Sequence, residues 1–335
     1  MTRLLHALCA ALLCASLLPL PAFALELYPL GTSNQSPLVQ LFGLPYPETS
    51  RVLDQGRFAA ALTLDAASNF TESQTATEEI VLDGETYRYT LALRYGLGGR
   101  AELGLDIPYL SQSGGFLDGF IEDWHSTFSL PQGGRSEAED DQLNFTYREA
   151  GVTAFSRTEA ADGLGDIRLS GALQLTRQDW GSPATSALRL SLKLPTGDSD
   201  RLFGSGGYDL SLAISGQKLL SPGDGGLGLF GTLGAMAMSE GDVLGDKQRR
   251  VAGFANLGLA WAALDWLHLK LQLDGHTAFF GDSDLDEIAA DSAQLVMGGT
   301  LALTDATGLD LAVVEDIVVD SAPDVVFHLA LRHWF

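Results

Sequence analysis

The stretch Tyr87-Arg88-Tyr89-Thr90-Leu91-Ala92-Leu93-Arg94-Tyr95 decides the fold. Large apolar or aromatic side chains occupy every second place, and Arg88, Thr90, Ala92 and Arg94 fill the places between. A backbone that sends alternate side chains to opposite faces is a β-strand, here with one apolar and one polar face. Past Gly96-Leu97-Gly98-Gly99 the pattern returns: Ala101, Leu103, Leu105, Ile107 and Tyr109 alternate with Arg100, Glu102, Gly104 and Asp106. Reading outward in both directions gives twelve such segments, near 57–70, 79–97, 100–112, 164–177, 186–196, 207–219, 226–238, 250–262, 265–280, 292–304, 308–317 and 325–335. Many are close to the ~10 residues that a tilted strand needs to cross a bilayer.

A soluble sandwich also alternates, so the choice rests on which face is ionic. Here the interleaved face carries Arg, Glu and Asp, while the other is Leu and aromatic. A water-soluble barrel would turn its apolar face inward and fill it. The chain also ends Phe327-His328-Leu329-Ala330-Leu331-Arg332-His333-Trp334-Phe335. Phe327, Leu329 and Leu331 alternating toward a terminal Phe335 resemble the signal by which the barrel assembly machinery recognises bacterial outer-membrane barrels, with His333 where an aromatic is more usual. The expected fold is therefore all-β, a transmembrane antiparallel up-and-down β-barrel of about 12 strands over 57–335.

Loop lengths supply a parity test. Gly96–Gly99, Ala262–Asp265 and Thr304–Thr307 are tight connections, and 197–206, 239–249 and 281–291 are longer and acidic. With 12 strands and both termini inside, every tight connection falls on the periplasmic side and every long one outside, as in outer-membrane barrels. Counting 142–157 as a further strand breaks that order, so it is left in a loop. Trp180, Trp261, Trp266, Trp334 and Phe335 fall near periplasmic ends, and Tyr109, Phe203, Tyr208 and Phe279 near external ones, consistent with two interfacial girdles.

The first 24 residues read as a leader: Arg3, an apolar run Leu4–Leu18, then Ala22-Phe23-Ala24, a small-residue cleavage site. Both cysteines, Cys9 and Cys14, lie within it, so the exported chain has no disulfide or thiolate chemistry. Residues 25–56 are expected to stand as an N-terminal periplasmic segment ahead of the barrel. The chain has 43 Asp and Glu against 20 Lys and Arg, a formal charge of −23 that loss of Arg3 makes more negative. Such a surface repels phosphate backbones, which excludes nucleic acid as a partner. The expected location is the Gram-negative outer membrane, as a monomer among lipids and lipopolysaccharide.

Several short motifs carry a resemblance. Asn34-Gln35-Ser36-Pro37 through Gly43-Leu44-Pro45, with Trp124-His125 and Leu130-Pro131, resembles the domain of unknown function 3187 family of Gram-negative outer-membrane proteins. Gly163-Leu164-Gly165-Asp166 before a strand, and Leu194-Pro195-Thr196-Gly197-Asp198 after one, are similar to a broader group of barrels that includes those named for phenol-degradation pathways. The resemblance implies fold and location. It supplies no substrate and no catalytic residues.

On the inward face, Arg88, Arg94, Arg100, Arg168, Arg189 and Lys193 lie on neighbouring strands near Glu102, Asp106, Asp166 and Asp209. Such a set is either a charged constriction selecting an unidentified small solute or a salt-bridge network that plugs a narrow barrel. The long connection 113–163 carries Phe116, Leu117, Phe120, Ile121, Trp124, His125 and Phe128 at helical spacing. That stripe could close the barrel mouth as a lid, lie on the outer leaflet, or cover its own apolar face. His268 and His276 with Asp274 between them raise a lipid-acting enzyme, but no serine can be assigned to either histidine. Asp282, Asp284, Asp286 and Glu287 suggest a calcium loop, but Glu287 and Ala293 stand where Gly and Glu are needed. The expectation is a porin-like channel or small-solute transporter with no catalytic residue, metal or cofactor. The alternative is a structural envelope barrel with a plugged lumen.

Overall fold

The computed structural model describes residues 28–117, 119, 141–180, 182–221, 226–317 and 321–335. Their strands are β1 Phe58–Gln74, β2 Glu78–Gly98, β3 Ala101–Ser113, β4 Asn144–Glu149, β5 Val152–Arg157, β6 Ala161–Leu164, β7 Arg168–Thr176, β8 Thr185–Lys193, β9 Asp209–Ser221, β10 Leu227–Met238, β11 Val251–Leu264, β12 Leu267–His276, β13 Ser292–Thr304, β14 Thr307–Asp316 and β15 Val325–Trp334. Twelve of them pair antiparallel with their neighbours, from β1, β2 and β3 through β7 and on to β15. The ring closes where β15 returns to β1, with Ala59 opposite Trp334 and Ser68 opposite Val325. These twelve correspond one to one with the segments read from the alternation.

The alternation now has a physical direction. Along β9, Leu210, Leu212 and Ile214 are 49%, 52% and 48% exposed, while Ser211, Ala213 and Ser215 between them are buried. A soluble sheet would do the reverse. An outward leucine belt over an inward polar face is the arrangement of a membrane barrel, whose backbone groups are all paired because the sheet has no edge.

The residues left in a loop, 142–157, form the β4–β5 hairpin. It pairs with β2 over Glu78–Asp83, where β2 has outrun its other neighbour β3. Likewise β6 pairs with Tyr109–Gln112 of β3, beyond the reach of β7. These short strands raise the wall at the long-loop end without adding a crossing, so the count of twelve and the loop parity both stand.

The N-terminal segment departs from expectation. Residues 28–53 do not stand apart from the barrel; they enter it. An ascending leg rises from Tyr28, packed on Trp334 with ring centroids 5.2 Å apart, to Asn34, whose Nδ2 reaches Ser292 Oγ at 3.1 Å and the Ser321 carbonyl at 2.8 Å. The turn at 37–42 places Leu38, Leu41 and Phe42 in an apolar cluster at the long-loop end. A descending leg then returns past Gly43 and Tyr46 to Val52, whose amide donates to Gln174 Oε1 at 2.8 Å. The physical reason is the diameter of the wall. About eight strands leave an interior that side chains can fill, and twelve leave more. The inward polar groups need partners, and the hairpin supplies them.

Two glycines make the fit possible. A Cβ on Gly43 would stand 2.7 Å from Lys193 Cβ, and one on Gly96 would stand 2.1 Å from the Asp54 carbonyl oxygen, where the segment leaves the lumen.

Candidate functional site

The inward charges of β2, β3, β7 and β8 converge on the descending leg. Arg94 Nη1 lies 2.6 Å from Asp106 Oδ1, and its Nε 2.9 Å from Glu48 Oε2. Arg168 holds the second Asp106 oxygen at 2.7 Å, and its guanidinium stacks over the Tyr46 ring at 4.3 Å. The Tyr46 hydroxyl donates to Asp106 at 2.9 Å and accepts from Arg94 at 2.7 Å. Arg189 bridges Glu48 at 3.2 Å and Glu102 at 3.6 Å. Glu102 in turn accepts the Leu53 amide at 2.9 Å.

Lys193 sits between Asp166 at 2.7 Å and Asp209 at 3.2 Å, and donates to the Leu41 carbonyl at 2.9 Å. Of the ten inward residues named from sequence, eight therefore grip the plug, Arg94, Glu102, Asp106, Arg168 and Arg189 in one network and Lys193 with Asp166 and Asp209 in a second. Arg88 faces the lumen outside both networks, and Arg100 lies exposed in the β2–β3 turn, away from them.

A second set lies on the opposite wall. Asp310 takes Arg332 at 2.8 Å and a Thr300 hydroxyl at 2.5 Å, and Lys270 donates to that same hydroxyl at 2.5 Å. Arg332 lies over the Tyr28 ring at 5.1 Å. Nearer the long-loop end, His328 Nδ1 and Asp65 Oδ1 are 2.6 Å apart. Sequence reasoning passed over these groups and over Tyr46 and Glu48. The strand residues were findable, because Asp65, Lys270, Asp310, His328 and Arg332 all occupy the inward parity of segments already recognised.

The ascending leg accounts for His276. Asn34 Nδ2 lies 3.1 Å from His276 Nε2, and Asp274 accepts from Thr32 at 2.7 Å and from Gln272 at 2.9 Å. Gln272 also exchanges hydrogen bonds with the amide and carbonyl of Leu30, each at 3.1 Å. Asp274 orients neither histidine. Among the described residues, no serine hydroxyl is hydrogen-bonded to His268 or His276, so the order of a nucleophile, base and acid is not assembled.

At the long-loop end the plug turn meets the loops. Phe42 stacks on Phe279 at 4.7 Å and meets Phe280 edge-on at 5.3 Å. Leu202, Met236, Val243, Leu244, Leu285 and Ile288 close the same cluster. Glu78 at the tip of β2 ties this cap to its surroundings: it accepts from the Tyr147 hydroxyl at 2.5 Å and the Asp284 amide at 2.9 Å, with Lys247 Nζ at 3.4 Å. Of the proposed lid, Phe116 is 72% exposed and lies parallel to the Tyr87 ring at 6.3 Å. Phe120, Trp124, His125 and Phe128 lie outside the described residues. At the C-terminus, Phe327, Leu329, Leu331 and Phe335 take the outward parity, alternating with inward His328, Ala330 and Arg332, and Leu329 and Phe335 are exposed.

Beside the hairpin a cavity of ≈ 170 Å³ remains. Its wall is built where the inward residues are small: Ala61 opposite Ala92, Thr63 opposite Thr90, and Ala330 opposite Thr63. It reaches from Trp334 at the short-turn end to Gln40 and Phe42 beneath the cap.

Residues 5–335 match a family model described as "Protein of unknown function (DUF3187)". A comparison with curated proteins finds no match. Among solved structures, the COG4313 outer membrane channel from Pseudomonas putida F1 superposes with a TM-score of 0.54 at 15% identity, over 86% of this chain and 99% of that one. The KdgM porin gives 0.41 at 8% identity, over 83% and 99%, and the P. putida toluene transporter TodX 0.36 at 10%, over 85% and 90%. At such identities the first likeness speaks for the barrel fold and names no solute, and the other two carry no argument.

Proposed function

Starting from a chain that belongs to the DUF3187 family and folds as an outer-membrane-type barrel, we propose that it is a porin-like channel for a small solute, held shut by its own N-terminal hairpin. The observation that carries this reading is the cavity, which follows the small-residue wall of β1, β2 and β15 from Trp334 up to the apolar cap. A lumen meant only to be filled would place bulky side chains there; Ala61, Ala92 and Ala330 leave room. The cap over Phe42 closes the long-loop end, which this reading assigns to the cell exterior, and hairpin displacement opens the path.

In this reading the leader is removed, the barrel stands as a monomer in the outer membrane with its leucine belt in lipid, and the end at Phe335 is what the assembly machinery recognises. Acidic loops face lipopolysaccharide through shared divalent cations. Planar-bilayer recording tests the channel: the intact protein should give small, infrequent unitary currents, and a variant lacking 28–53 should give persistent larger ones. Absence of unitary current from both sinks the proposal.

A second reading, a structural barrel with a permanent plug, is supported by the two-legged grip of Arg94, Arg189, Gln272 and Ser292 on the hairpin. It expects Arg94→Ala or Arg189→Ala to lower the heat resistance of the barrel without altering permeability.

A further inference from the structure

The cations that line the cavity are, with one exception, spoken for. Arg94, Arg168, Arg189, Lys193 and Arg332 each hold a carboxylate, and Arg51 makes interactions of its own. Arg88 does not: among the described residues its guanidinium has no hydrogen-bond or ion-pair partner. The barrel encloses it, yet it opens on the cavity. Its register partner across β1–β2 is Asp65, but Asp65 is engaged from its other flank by His328 at 2.6 Å.

An enclosed guanidinium with no contact partner is incompletely compensated, because the barrel has stripped part of its water and supplied only the field of Asp65 and Asp106, carboxylates bonded elsewhere. A second unmet group lines the same cavity: the Gln40 side-chain amide, buried under the cap, has neither its nitrogen nor its oxygen paired. Between the ion pairs already described, part of the lining is compact and apolar, with Ala61, Ala92, Ala330, Leu44 and Pro108 around the space. At ≈ 170 Å³ the cavity is on the scale of the roughly 150 Å³ apolar cavity that admits benzene.

We infer that this cavity is a binding site for a small organic monoanion, a carboxylate on a compact apolar body, with the carboxylate on the Arg88 guanidinium. The planar fork of a guanidinium suits a carboxylate in two-point contact. One guanidinium without a contact partner matches a monoanion, and the alanine wall matches an apolar body rather than a hydrated dianion. The inference rests on the reading of the lumen as a solute path and names the chemistry of the solute.

Equilibrium binding tests it without requiring flow, so a conducting protein can still fail here, and a protein that binds can still fail to conduct. The full-length protein in detergent is titrated calorimetrically with benzoate, its neutral counterpart benzamide, and inorganic phosphate. Benzoate should bind at least about tenfold tighter than benzamide, and Arg88→Gln should weaken benzoate at least about tenfold, the scale of one charge-assisted hydrogen bond. Phosphate should bind more weakly than benzoate, and Arg88→Lys should retain part of the affinity. Equal affinity for benzoate and benzamide, unchanged benzoate affinity in Arg88→Gln, phosphate preferred to benzoate, or no benzoate binding would each overturn the inference. Heat-modifiability on gels checks that Arg88→Gln is folded; if it is not, the benzoate–benzamide comparison on the intact protein decides.

Discussion

Replacing Glu48 with Gln asks whether charge holds the hairpin in the barrel. Glu48 Oε2 takes Arg94 Nε at 2.9 Å and Arg189 Nη1 at 3.2 Å. Glutamine keeps the shape and one accepting oxygen, but removes the charge that neutralises two enclosed guanidinium groups. A hydrogen bond involving a charged group contributes about 1.5–3 kcal/mol. Arg94 keeps Asp106 at 2.6 Å, and Arg189 keeps Glu102 at 3.6 Å and the Thr49 carbonyl at 2.5 Å.

The loss is therefore nearer one contact than two, about 2–3 kcal/mol, short of what a fully orphaned buried charge costs. At about 1.4 kcal/mol per factor of ten, the undocked population rises roughly 30- to 140-fold. The assay is the open fraction of single channels at fixed voltage. Asp54→Asn is the internal control, because the Asp54 side chain is 60% exposed in its pair with Arg177. Exposed pairs contribute about 0–1 kcal/mol, so its effect should stay under about fivefold. An open fraction in Glu48→Gln no larger than in Asp54→Asn refutes the reasoning.

Three further outcomes follow from the hairpin and its cap. Gly43→Ala, whose Cβ would stand 2.7 Å from Lys193 Cβ, should loosen the hairpin turn by about 1–3 kcal/mol and raise the open fraction. Gly31→Ala, with only Tyr46 Cδ2 at 3.6 Å, should leave it unchanged. Phe42→Ala removes the rings' contact with Phe279 and Phe280 and should weaken the cap by about 3–5 kcal/mol, which hydrogen exchange over 279–288 would read as lost protection.

For pH, Glu78 stands past the last β1–β2 pair, Gln74 with Glu79. Burial raises its pKa, but the Tyr147 hydroxyl, the Asp284 amide, Ser283 and the Lys247 ammonium together hold it below its ordinary value. A depressed carboxylate contributes its stability above the unfolded-state pKa and loses it as pH falls through the folded-state value. Channel openings should therefore be unaffected from pH 7 down to about 4.5 and increase below it, whereas Glu78→Gln should remove that acid dependence.

The wall was legible because a membrane barrel writes its geometry with a period of two. Ser211, Ala213 and Ser215 beside Leu210, Leu212 and Ile214 can be read without any contact being known. The hairpin was not legible, because a segment lining a polar lumen has neither a helical nor a strand period. Leu30, Thr32, Asn34, Leu38, Gln40 and Phe42 read as an ordinary polar stretch with scattered apolar residues. A signal was nonetheless present: Asn34–Pro37 and Gly43–Pro45, which carried the family resemblance, are the residues on either side of the plug turn. Arg100 shows the converse limit. It extends the inward parity of β3 by one residue, into the turn where the strand has ended, so periodicity assigned it a face that the backbone no longer provides.

The two legs of the hairpin also impose an order in time. Leu30 and Asn34 bond to Gln272, Ser292 and Ser321, partners 242 to 287 residues further along the chain. Chains are synthesised from the N-terminus, so the first described residues to emerge wait for nearly the last. Closing loops of that length carries an entropy cost repaid only once the partners are in place. The ascending leg therefore docks after β12 and β13 have joined the wall, whereas the partners of the descending leg on β2, β3, β7 and β8 are in place earlier. In this molecule a hairpin docked on both legs marks a finished ring.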